Sequence, residues 1–94
     1  MALHSNLSHA ERSVVGKNIE ALRRIRGLTQ DDLANELQTS RGRVSYWETG
    51  AGAPNAEMIV KLCRAMGVTE EQLLAGSKAP RTDFAQQSHT RPRP

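Results

Sequence analysis

The sequence predicts a small all-α domain, and three observations lead there. Between residues 13 and 76 apolar side chains recur at spacings of three and four; Gly, Pro and capping residues divide that stretch into five short segments; and nothing alternates at period two for long enough to read as a strand. With 94 residues the chain has room for one such domain and little else. Its aromatics are Tyr46, Trp47 and Phe84, so the core must come mainly from Leu, Ile, Val, Ala and Met.

The first helix is expected to start at a Ser13 cap, with Val15, Ile19 and Leu22 at i, i+4 and i+7 and Gly27 in the left-handed position after its end. The second opens on Thr29-Gln30-Asp31-Asp32, a capping pattern that also sets two carboxylates at the favourable end of the helix dipole. Its Leu33, Ala34 and Leu37 face inward. The third runs from a Ser40 cap to Thr49, with Val44 and Trp47 inward and Gly50 as its stop. After the loop Gly50-Ala51-Gly52-Ala53-Pro54, Asn55 caps a fourth helix striped by Ile59, Leu62, Cys63 and Met66 and closed by Gly67. Thr69-Glu70-Glu71-Gln72 is a capping box for a short fifth helix carrying Leu73 and Leu74. Helices this short are marginal alone in water, so all five must share one core.

The flanks differ from this middle. Residues 1–12 read as a flexible arm: Leu3, Leu7, Ala10 and Val14 have a spacing that would permit a helical extension packing on a partner, but interrupting Ser, Asn and His residues favour a fraying terminus. Residues 77–94 are rich in Ser, Pro, Arg, Gln and Thr, and Arg91-Pro92-Arg93-Pro94 cannot be helical, so they read as a disordered basic tail.

A net charge of +3 suggests a polyanion partner, yet residues 1–12 and 13–76 each sum to zero and the tail carries the whole excess. Within the domain the charge is sorted: Lys17 to Arg26 sums to +3, and Asp31, Asp32 and Glu36 return −3. No apolar run reaches the roughly 18 residues of a membrane span, and no apolar stretch follows a basic start as in a secretory signal. Cys63 stands alone, so no internal disulfide is expected and a cytoplasmic location is the default. His4, His9 and His89 lie in the flanks and Cys63 on an apolar face, so neither a metal nor another cofactor is expected. No nucleophile, base and orienting group are assembled, and the chain does not read as an enzyme.

Only Gln38 and Thr39 separate the second and third helices. So short a connection forces a steep crossing, and Ala34 is small where the two helices would meet. That is the geometry of a helix-turn-helix, here about residues 29–48, whose second helix can project into a major groove about 12 Å wide.

The residues at these junctions, Leu28-Thr29-Gln30-Asp31-Asp32-Leu33-Ala34, Ser40-Arg41, Val44, Trp47-Glu48-Thr49-Gly50 and Pro54, resemble the phage-repressor/Cro-type (XRE-like) helix-turn-helix family, as do Leu62-Cys63-Arg64-Ala65-Met66-Gly67-Val68. The resemblance spans residues 16–75. It implies a compact five-helix lambda-repressor-like domain over residues 13–76 with flexible termini. It also implies a small repressor-like transcriptional regulator that binds double-stranded DNA sequence-specifically, commonly as a homodimer, through a recognition helix at about 41–49.

The same resemblance assigns roles. Gln30 would bond a phosphate and buttress the recognition helix, and Ser40 would stand at that helix's DNA-facing start. Arg41 would reach guanine O6 and N7, or a phosphate without base information. Arg43 would face the backbone or the groove edge. Ser45 and Tyr46 would lie one turn on, with Tyr46 against a thymine methyl, donating to a phosphate, or simply flanking the core. Glu48 would pair with Arg23 as a structural ion pair, whereas Trp47 shares a face with Val44 and belongs to the core. Leu73 and Leu74 are the candidate dimer contacts.

Three residues depart from the family pattern. Gln38 stands where Gly is commonest, so the turn is expected to be slightly reshaped. Gly42 replaces a side chain that often reads a base. Gly50-Ala51-Gly52-Ala53 lacks the usual Lys or Arg, leaving backbone N–H groups for phosphate. A second reading keeps the fold and makes the chain an antitoxin or adaptor that engages a protein partner through its tail.

Overall fold

A computed structural model of the chain describes residues 8–77, which form five helices and, among the described residues, no strand. These are α1 (His9–Ile25), α2 (Gln30–Leu37), α3 (Arg41–Glu48), α4 (Ala56–Met66) and α5 (Glu70–Leu73). All five begin in the same way: the side chain of Ser8, Thr29, Ser40, Asn55 or Thr69 accepts a hydrogen bond from the backbone N–H three residues on.

The first of these caps differs from the expectation. α1 starts at His9 under Ser8, not after Ser13, and Glu11 returns a bond to the Ser8 N–H to complete a capping box. The reason lies in the sequence: Ser8 is followed three residues later by Glu11, whereas the residue three after Ser13 is Gly16, which has no side chain to return a bond. Residues 9–12, assigned above to the arm, are therefore helical, and Ala10 and Val14 belong to α1. Leu3, Leu7 and the tail from residue 78 lie outside the described residues.

α1 packs on α3 and α5, α2 packs on α3 and α4, and α4 closes on α5. The core between them consists of Val15, Ile19, Leu33, Ala34, Leu37, Val44, Trp47, Ile59, Leu62, Met66, Leu73 and Leu74, all buried. Leu73 and Leu74 are thereby corrected: at 0% and 5% exposure they close the core of one chain and present almost nothing to a second. Asn18 of α1 fixes the end of α5, its side-chain amide donating to the Leu73 and Ala75 carbonyls at 2.9 and 2.8 Å. The Leu73 carbonyl is the last of α5, where carbonyls have no partner within the helix, and Ala75 lies just beyond it.

The connection between α2 and α3 turns on Gln38. The residue takes the left-handed conformation itself (φ 59, ψ 45), and the Thr39 N–H closes the turn onto the Ala34 carbonyl at 2.9 Å. A side chain in that conformation costs about 1–2 kcal/mol relative to glycine. The shared core and the closing bond offset that cost.

Candidate nucleic-acid interface

The inner side of α3 is fixed by burial. Val44 and Trp47 are 0% and 1% exposed. The middle of α1 meets the C-terminal end of α3 backbone to backbone: a Cβ added to Gly16 would stand 2.7 Å from the Glu48 carbonyl oxygen and closer still to that of Trp47. Any larger residue at Gly16 would push the two helices apart.

A buried polar network secures the same end. Arg23 Nε donates to Glu48 Oε2 at 2.7 Å and Arg23 Nη2 to Glu48 Oε1 at 3.1 Å, a two-pronged pair, while Nη1 donates to the Leu28 carbonyl at 2.8 Å. Gln30 Nε2 adds a third bond to the carboxylate, reaching Glu48 Oε1 at 2.9 Å. The hydrogen bond from Glu48 raises the Arg23 pKa above its already high ordinary value, against the opposing effect of burial. The pairing of Arg23 with Glu48 is thus present as expected. Gln30 also ties α2 to α3, with one amide hydrogen turned toward protein.

Opposite this anchored side, Arg41, Gly42, Arg43 and Tyr46 are exposed and Ser45 is half-buried. The Arg41 side chain makes no hydrogen bond or ion pair with another described residue. The Arg43 guanidinium lies over the Trp47 ring, 5.7 Å from its centroid, which restrains a long side chain without removing its charge from solvent. Ser40 is exposed and its hydroxyl oxygen accepts from the Arg43 N–H at 3.1 Å. Around Gly42 there is open space, the nearest atom to an added Cβ being Ser40 Oγ at 3.9 Å.

The loop after α3 narrows one expectation, since only the N–H groups of Gly52 and Ala53 have no acceptor among the described residues. Of its backbone N–H groups, that of Gly50 donates to the Trp47 carbonyl and that of Ala51 to the Tyr46 carbonyl, both at 3.1 Å, so neither is open to a phosphate. A guanidinium does reach this loop, from α1: Arg12 Nε donates to the Gly50 carbonyl at 3.2 Å. That contact joins residues 38 positions apart. With Arg12 assigned to the arm, nothing in the sequence pointed to it. Gly52 is a second residue the sequence did not single out, since Tyr46 packs against it.

Away from α3 two titratable groups are shifted. Hydrogen bonds from the Thr29 backbone and side chain hold the Asp32 carboxyl below its ordinary value. Burial, helped by the nearby Glu70 carboxylate, pushes the Cys63 thiol up to about 11. No described helix is long and apolar enough to cross a membrane. The tail through which a protein partner would be engaged lies outside the described residues.

Comparison with known proteins converges on one motif. The helix-turn-helix family model matches residues 19–73, more than half of the chain. The HTH-type transcriptional activator BcrR of Enterococcus faecalis is 37% identical over 62 residues, which cover 66% of this chain and 30% of that protein. An uncharacterized HTH-type transcriptional regulator of Sinorhizobium fredii, y4dJ, is 33% identical over 63 residues, covering 67% of this chain and 82% of that one. Among solved structures, the restriction-modification controller protein C.AhdI from Aeromonas hydrophila superposes with a TM-score of 0.65 at 28% identity, over 68% of this chain and 97% of that chain. The chain therefore spans a minor part of BcrR and most of the other two proteins.

Proposed function

The chain belongs to the helix-turn-helix family, and from that membership we propose that it is a transcriptional regulator that binds double-stranded DNA sequence-specifically. The observation that carries this reading is the contrast between the two sides of α3. One side is locked by Trp47, Gly16 and the Arg23, Glu48 and Gln30 network; the other leaves Arg41, Gly42, Arg43 and Tyr46 exposed. A helix held rigidly from behind can present side chains to base edges at a fixed depth and angle.

In this reading Arg41 reads a guanine through its two-donor fork, Ser45 and Tyr46 lie against the groove one turn later, and Ser40 and Arg43 meet the groove edge and phosphates. Gln30, bound to Glu48 through one amide hydrogen, keeps its second for a phosphate. The protein acts on DNA in the cytoplasm as a homodimer on two half-sites about 34–36 Å apart, with its dimer surface elsewhere than Leu73 and Leu74. The basic tail adds a salt-sensitive, sequence-blind attraction.

Selection of bound duplexes from a random pool by the purified chain tests this. A single enriched motif with two inverted half-sites one helical turn apart is the expected result. No enrichment over the starting pool would overturn the reading, and one unpaired half-site would overturn its dimeric form.

A further inference from the structure

Tyr46 is fixed more firmly than a half-exposed surface tyrosine requires. Its carbonyl accepts from both the Ala51 N–H and the Thr49 hydroxyl, each at 3.1 Å. Its ring leans on Gly52 along the hydroxyl-bearing edge: a Cβ at Gly52 would stand 2.6 Å from Tyr46 Cζ and 2.8 Å from Tyr46 Oη. The backbone of Gly52 is not in the left-handed region, so its conformation alone would accept a side chain. A side chain there would instead displace the phenol, which lies in its place. The ring nevertheless remains 52% exposed.

This arrangement sits beside a loop that supplies no side-chain cation of its own, although the Arg12 guanidinium reaches the Gly50 carbonyl from α1. The loop from Gly50 to Ala53 has neither Lys nor Arg, and the N–H groups of Gly50 and Ala51 are bonded internally. Those of Gly52 and Ala53 have no acceptor among the described residues. A phenol hydroxyl is an uncharged hydrogen-bond donor.

We propose that the Tyr46 hydroxyl, held in place by Gly52, donates an uncharged hydrogen bond to a DNA phosphate, and that Gly52 is the positioning residue for that contact. The proposal rests on the reading of α3 as the DNA-facing helix and chooses phosphate over a thymine methyl, because the hydroxyl lies against Gly52, whose N–H has no acceptor among the described residues. A neutral donor displaces no counterion charge of its own, so its contribution should be independent of salt, unlike that of an arginine.

The experiment uses the full chain and the duplex it selects. Tyr46→Phe should weaken binding about tenfold at every salt concentration, the size expected for a hydrogen bond to a charged acceptor, with the slope of log K against log salt unchanged. Arg43→Ala should instead make that slope shallower by about 0.9. Gly52→Ala should reproduce the loss seen with Tyr46→Phe, and the double variant should bind no worse than either. A neutral methylphosphonate at the contacted position should abolish the difference between the parent and Tyr46→Phe. Melting curves of the free variants separate this from simple loss of folding, since Tyr46→Phe should melt with the parent. Parent-like binding by Tyr46→Phe, with binding weakened when uracil replaces a thymine, would mean that the ring reads a methyl group and overturns the proposal. Parent-like binding by Gly52→Ala would overturn the positioning role. A parent chain that selects no duplex would overturn the DNA-binding reading beneath both.

Discussion

The Arg23 guanidinium and the Glu48 carboxylate meet through two hydrogen bonds of 2.7 and 3.1 Å, and their side chains are only 9% and 5% exposed. The pair spans α1 and the last residue of α3. It holds α3 at an angle to α1 that packing of Val44 and Trp47 alone would leave freer. Removing one partner strands a charge that is largely out of water. Glu48→Ala should therefore lower stability by about 3–5 kcal/mol. Each kcal/mol is roughly 4–8 °C of melting temperature in a domain of this size, so much of the chain should be unfolded at 37 °C. An unchanged melting curve would sink the account of how α3 is anchored. Replacing both residues, as in Arg23→Met with Glu48→Leu, should recover a large part of the loss, because no charge is then left unpaired.

Two glycines should respond to the same substitution with opposite sign. At Gly16 a methyl group meets the carbonyls of Trp47 and Glu48. Overpacking of that kind costs about 1–3 kcal/mol. At Gly42 the methyl meets only open space, and alanine there should stabilise the protein by about 0.5–1 kcal/mol. Urea unfolding of Gly16→Ala and Gly42→Ala checks both, and equal shifts in one direction would contradict the close approach of α1 to α3.

Gln38→Gly should be stabilising. The position keeps φ 59, which glycine adopts without strain, so relief of about 1 kcal/mol is expected in the folded state. Glycine also gives the unfolded chain more freedom, which trims the net gain. Measured destabilisation would mean that the Gln38 side chain contributes a contact outweighing its backbone strain.

Much of this architecture is legible along the chain because it is local. Thr29 with Asp32, Ser40, Asn55 and Thr69 with Gln72 mark helix starts within four residues, and the positions of Val44 and Trp47 follow from helical spacing. Ser8 was equally legible in principle, since Glu11 completes its box, but Ser13 lay nearer the apolar stripe. The Arg23–Glu48 pair needed the family resemblance, as nothing local links residues 25 apart. Leu73 and Leu74 were misread because adjacent side chains on a one-turn helix point about 100° apart. Only the tertiary placement of α5, between α1 and α4, buries both. The Tyr46–Gly52 contact and the Arg12 bond to Gly50 depend on how a loop folds back, which no spacing rule encodes.

Cys63 provides a pH test. Its thiol is raised from an ordinary 9.0 to about 11, chiefly by burial, so the folded chain holds that proton more tightly than the unfolded one. Its contribution to stability is complete below the unfolded value and declines as pH rises from about 9 toward about 11. Cys63→Ala should remove that part of the alkaline decline, read as the pH dependence of the urea midpoint relative to the parent. An identical slope in the two proteins would show that the thiol titrates as freely folded as unfolded.

The most direct test of the account is the specificity of the recognition helix, measured as the affinities of the parent and Arg41→Ala for the selected duplex and for its full set of single-base-pair variants. The exposed guanidinium at the start of α3 should discriminate at one base pair per half-site. Arg41→Ala should erase about 1–3 kcal/mol of preference at that pair and leave the rest of the profile intact. A uniform loss at all positions would make Arg41 a phosphate contact. An unchanged profile would mean that α3 does not read the DNA.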